Sequence, residues 1–137
     1  MVQFQRRNRP EQTRERIRKL RFERMVAGVL RSLPPHVVAM MDNVDVVVAD
    51  EPTPEQQSRL ASEPDDSLFG LYEGVPLTQR AGYNLALPDK ITIFRRPLEA
   101  ACASEDEIVE EIRVTVLHEL AHHLGFDEDR IDELGLG

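Results

Sequence analysis

An α+β fold follows from three features of the sequence. Three short β-branched or aromatic runs lie in the middle of the chain, a long capped helix lies near its end, and a charged helical stretch opens it. Together they predict a small mixed β-sheet packed on the long C-terminal helix, with an N-terminal helix beside it. At 137 residues the chain is one domain by length, with room for a modest core. Its net charge is -8, unevenly spread. Residues 1–24 hold nine Arg or Lys against three acids, about +6, which leaves about -14 for the rest. The expected organisation is a basic arm and helix start over 1–24, then a compact domain over 25–137.

Residues 1–9 are polar and basic and are expected to be mobile. From Pro10 the spacing predicts a helix, with Ile17, Leu20, Arg21, Arg24, Met25, Val29 and Leu30 repeating at three and four. Pro34-Pro35 ends it. His36 to Met41 reads as a short helical turn. Val44 to Ala49 is the clearest strand, short, β-branched and bounded by polar residues. Residues 50–67, rich in proline and acids, read as a surface loop with at most a short helix over Glu55–Leu60. Leu68 to Tyr72 is the second strand, stopped at Glu73-Gly74. Lys90 to Phe94 is the third, where Ile91 and Ile93 alternate with Lys90 and Thr92 as in a strand covered on one face. Pro97 to Ala101 reads as a helical turn.

Ser104-Glu105-Asp106-Glu107 is a capping box with acids in the first turn, where the helix dipole favours them. The helix it opens continues through Ile108, Ile112, Thr115, Leu117, Leu120 and Leu124 until Gly125 offers a left-handed cap.

Several classes are set aside by composition. The single cysteine, Cys102, permits neither an intramolecular disulfide nor a cysteine-based zinc finger, and reads as a small core residue. No apolar signal core opens the chain, and no run approaches the ~18 apolar residues of a membrane span. The cytoplasm is therefore the expected compartment. The basic N-terminal helix reads as a solvated face with i,i+4 pairs. Without interleaved aromatics or a recognised binding motif, nucleic acid is not an expected partner.

The chemistry concentrates at His118-Glu119-Leu120-Ala121-His122-His123-Leu124-Gly125. A helix turns once per ~3.6 residues, so His118 and His122 share a face one turn apart and can both reach one zinc ion. Glu119, the next residue on, flanks that face and can act as general base on a water held there. A catalytic zinc needs a third protein ligand and an open position. Glu128, ten residues after His118, stands where the extended zincin pattern has its third ligand, and Gly125 supplies the turn that brings it back. Asp127 is the alternative ligand. It also suits the cap of a short helix over Glu128–Leu134, with Phe126 and Ile131 as a hydrophobic staple. His123 points about a hundred degrees off the ligand direction and reads as a residue supporting the ligands, or as a packed polar side chain. Tyr72 and Tyr83 are core or loop aromatics, either able to donate to a tetrahedral oxyanion.

These residues resemble the small bacterial zincin-like metallopeptidases, minimal metzincin-like zincins, over most of residues 28–137. The resemblance rests on Leu71-Tyr72-Glu73-Gly74-Val75-Pro76-Leu77-Thr78, on Leu87-Pro88-Asp89-Lys90-Ile91-Thr92-Ile93-Phe94-Arg95, and on the His118–Gly125 motif. It implies a small sheet packed on a zinc-binding helix and metal-dependent peptidase activity. By that likeness His118, His122 and Glu128 hold Zn2+, and Glu119 is the base. No methionine follows Met41, so the methionine turn of larger metzincins has no counterpart.

The sequence thus predicts a zinc-dependent hydrolase of peptide bonds acting on a peptide or protein substrate. That substrate is expected to lie extended along an edge strand, Leu68–Tyr72 or Lys90–Phe94, in an open, shallow cleft. The competing expectation is a non-enzymatic zinc-binding or regulatory module in which the metal pins the C-terminal segment to the helix. Nothing in the sequence sets the oligomeric state.

Overall fold

The computed structural model describes residues 2–62, 68–74 and 87–124. In chain order these form α1 (Val2–Ser32), α2 (Pro35–Met40), β1 (Val44–Ala49), α3 (Pro54–Ser62), β2 (Gly70–Glu73), β3 (Asp89–Phe94), α4 (Arg95–Ala101) and α5 (Glu105–His123). The α+β architecture is the expected one: an N-terminal helix, a three-stranded mixed sheet and a long C-terminal helix packed on it.

The longest helix, α1, starts well before the expected point and carries Pro10 inside it. Its buried stripe is Phe22, Val26, Val29 and Leu33, whereas Ile17 and Leu20 are about half exposed, at 50% and 49%. Spacings of four, three and four put the first set on one helix face, and that face meets α5. Ile17 and Leu20 fall on the opposite side, so the buried register is not the one read from the repeat beginning at Ile17. Pro34 then ends the helix and Pro35 opens α2, where a missing N–H costs nothing.

The sheet order is β1-β3-β2. β1 runs parallel to β3, with Val44 opposite Asp89 and Ala49 opposite Phe94. β2 runs antiparallel to it, with Gly70 opposite Ile93 and Glu73 opposite Lys90. Lys90–Phe94 is therefore the central strand and cannot be the substrate edge, because its backbone groups are engaged by neighbours on both sides. Thr92 is 3% exposed, so β3 is covered on both faces there rather than on one. β2 begins at Gly70, because Leu68 and Phe69 belong to the turn before it. α3 is longer than the turn expected within residues 50–67 and is tied to β2 by bonds from Gln56 and Arg59 to the Glu73 carboxylate, at 2.8 and 3.4 Å.

Ile91 and Ile93 of β3 meet the α1 stripe and Ile112, Val116 and Leu120 of α5 in one apolar cluster. At Gly70 the strand passes so near α5 that an added Cβ would stand 2.5 Å from the Thr115 methyl. Only a glycine allows that approach.

Arg95, directly after β3, is 2% exposed and binds three carboxylates. It donates to Glu15 of α1, to Asp50 after β1 at 2.9 Å and to Glu99 of α4 at 2.7 Å. Burial opposes its charge, but the three hydrogen-bonded acids outweigh that and raise its pKa. One guanidinium thus joins the N-terminal helix to the ends of two adjacent strands. Among the described residues no helix is long and apolar enough to cross a membrane.

Candidate metal centre

The helix that carries the histidines is fixed at both ends of its described length. At its start the Ser104 hydroxyl accepts from the Glu107 N–H at 3.2 Å, and the Glu107 carboxylate accepts from the Ala103 N–H at 2.8 Å. This is the expected capping box, with the return bond made one residue earlier than Ser104. Along its length Ile112, Thr115, Val116, Leu117 and Leu120 are buried. The last turns therefore inherit a rigid frame, which is what a metal site needs from its scaffold.

His118 is half-buried and His122 exposed, on the open side of α5. Their rings lie 6.3 Å apart between centroids and within 18° of parallel. A zinc–nitrogen bond of about 2.0–2.1 Å plus about 1.2 Å to the ring centre puts each centroid about 3.2 Å from a shared metal. Two ligating rings then lie at most about 6.4 Å apart, and about 5 Å apart at a tetrahedral angle. The observed spacing falls inside that limit, and closing it takes small side-chain rotations. In donor type and placement the pair fits zinc.

Glu119 sits a hundred degrees round the helix and is fully buried, at 0% exposure. Its Oε1 accepts from the main-chain N–H of Tyr72 at 2.9 Å. Tyr72 lies opposite Ile91, and the neighbouring Phe69 carbonyl accepts from Phe94 across the β2–β3 pair. By strand alternation the Tyr72 amide therefore points away from β3, so Glu119 caps the outer side of β2.

His123 stacks on the Tyr72 ring, with centroids 4.4 Å apart and planes 12° from parallel. It also meets His122 edge-on at 5.6 Å. The Tyr72 hydroxyl donates to Asp89 Oδ2 at 2.7 Å, so it is committed to an acid on β3 rather than held in reserve for an oxyanion. The sequence reading did not single out Asp89. Its signal was the pairing of two local motifs, one supplying a tyrosine on β2 and the other an acid at the start of β3.

The remaining expected ligands, Glu128 and Asp127, lie outside the described residues, as do Gly125, Tyr83 and the helix expected over Glu128–Leu134. Among the described residues no group of three or more His, Cys, Asp or Glu is placed to hold a metal. Cys102 is half-buried away from the histidines. Burial, reinforced by Glu111 and Glu107, pushes its thiol up from the ordinary range and leaves it a poor nucleophile.

Residues 41–137 match the family described as zincin-like metallopeptidase. No curated protein matches the chain.

Proposed function

The chain belongs to the zincin-like metallopeptidase family, and from that premise we propose that it hydrolyses peptide bonds in a peptide or protein substrate. The reading rests most on one arrangement: two near-parallel imidazoles on the open side of α5, with a buried carboxylate from the intervening residue fixed against the adjacent strand. His118 and His122 hold the zinc, with a carboxylate after Gly125, Glu128 or Asp127, as the third ligand. A bound zinc supplies Lewis acidity, making water acidic enough to attack at neutral pH and polarising the scissile carbonyl.

Glu119 takes the proton of the attacking water and returns it to the departing amine. Its hydrogen bond from the Tyr72 amide leaves Oε2 as the oxygen for that proton and fixes the carboxylate plane, so no reorientation is needed between the two transfers. His123, stacked on Tyr72, and Tyr72, anchored on Asp89, hold the strand that supplies the amide. They position the base without touching the reacting atoms.

The test pairs metal analysis with turnover on a peptide library. The parent protein is expected to bind zinc and cleave. Glu119→Gln is expected to keep the metal and lose cleavage, and His118→Ala to lose both. Cleavage by Glu119→Gln at the parent rate would overturn the assigned base. Zinc retention with no cleavage by the parent would point instead to a metal-stabilised regulatory module.

A further inference from the structure

We propose that β1 is a self-pairing edge through which two copies of this chain join their sheets in antiparallel register about Val47. β1 lies at the far side of the sheet from the histidines, since the order is β1-β3-β2 and α5 packs on β2 and β3. Among the described residues nothing pairs with its outer edge. An exposed strand edge is a liability that proteins usually blunt with lysine, proline or a bulge. β1 reads Val-Asp-Val-Val-Val-Ala, with none of these.

The backbone fixes which registers are possible. The Asn43 carbonyl accepts from the Asp89 N–H across the β1–β3 pair. By alternation Asp45, Val47 and Ala49 turn their backbone groups toward β3, and Val44, Val46 and Val48 turn theirs outward. The Val44 N–H is already bonded to the Met41 carbonyl, so the complete outward donor–acceptor sets belong to Val46 and Val48. An antiparallel copy centred on Val47 sets Val46 against Val48 of the second copy and uses both sets on both chains. Centring on Asp45 would oppose two like charges, which is unfavourable.

The side chains select the same register. Every opposed pair then matches valine with valine, except Asp45, which meets alanine at position 49. Val47, 39% exposed, is covered by its own counterpart across the two-fold axis. On the other face, Val46 and Val48 line a groove of about 270 Å³ with Glu23, Val26, Ala27 and Leu30 of α1. The opposed Val46 and Val48 of the second copy continue that apolar strip. The only charge on the edge is Asp45, so the molecule's net negative charge does not gather at this contact. A patch that is complementary to itself is what a closed two-fold dimer requires.

The test is sedimentation or light scattering of the full chain across the micromolar range, with two variants. The parent is expected to show a concentration-dependent dimer. Val47→Lys, at an exposed site, is expected to abolish it while leaving circular dichroism and melting temperature unchanged. In a Cys102→Ser background, Val47→Cys is expected to cross-link into a covalent dimer under mild oxidant. A non-hydrogen-bonded antiparallel pair brings opposed Cα atoms to about 4.5 Å, within disulfide reach. Asp45→Cys in the same background, whose counterpart lies several residues away, is expected not to. A parent that stays monomeric throughout, whether or not its edge accepts some other strand, would overturn the proposal. So would a dimer that survives Val47→Lys.

Discussion

The carboxylate of Glu119 on α5 and the main-chain N–H of Tyr72 on β2 are joined by a 2.9 Å hydrogen bond, although 47 residues separate them in the chain. The bond makes the outer side of β2 and the histidine-bearing helix one unit. It also places a fully buried acid where a surface-facing residue would be inferred from helical spacing alone.

That bond separates two substitutions at one position. Glu119→Gln keeps an oxygen for the Tyr72 amide, and in metal-free protein it is expected to change unfolding free energy by less than about 1 kcal/mol. Glu119→Ala removes the acceptor and opens a cavity between helix and strand, and is expected to cost about 2–3 kcal/mol. Urea unfolding of the two variants in chelator measures the difference.

The close approach at Gly70 gives a compensating pair. Gly70→Ala drives a methyl into Thr115 Cγ2 and is expected to destabilise by about 1–3 kcal/mol. Adding Thr115→Ser removes that methyl and is expected to restore at least half of the loss. A double-mutant cycle on thermal unfolding reads the coupling. Additive effects would show that β2 yields elsewhere.

Arg95 governs the acid limb of stability. Hydrogen bonds from Arg95 hold the Glu15 and Asp50 carboxyls below their ordinary values. For groups depressed in the folded state, the stabilisation is present above the unfolded values of about 4 and is lost as pH falls through the folded ones. Melting temperature is therefore expected to fall between about pH 4 and pH 2, and Arg95→Met is expected to flatten that fall. At neutral pH the same substitution is expected to cost about 2 kcal/mol. That is less than a fully buried ion pair, because Glu15 and Asp50 are 37% and 39% exposed and recover water when the cation is removed.

Metal removal gives the fourth test. With zinc bound only by the folded chain, a free concentration about a hundredfold above the dissociation constant adds about 2.7 kcal/mol of stability. Melting of chelated protein is expected to rise on adding zinc, and His122→Ala is expected to abolish the rise. An equal rise in that variant would place the zinc elsewhere.

Much of this could be read from local spacing. The β-branched run Val44–Ala49, the Ser104 cap and the four-residue step from His118 to His122 depend on neighbours within a turn or a strand, so composition and periodicity alone located them. Gly70, Tyr72, Asp89 and Arg95 carried no comparable local mark. Their roles arise from which strand lies in the centre and how near the helix passes, and those depend on residues far apart in sequence. The three acids around Arg95 come from α1, from the end of β1 and from α4, and only folding brings them within hydrogen-bond reach. In the same way, the H-E-x-x-H spacing by itself determined that two imidazoles share a face of α5. The tertiary structure alone decided that the acid between them turns inward to the sheet, because the turn's side facing β2 is where burial and the outward amide of Tyr72 coincide.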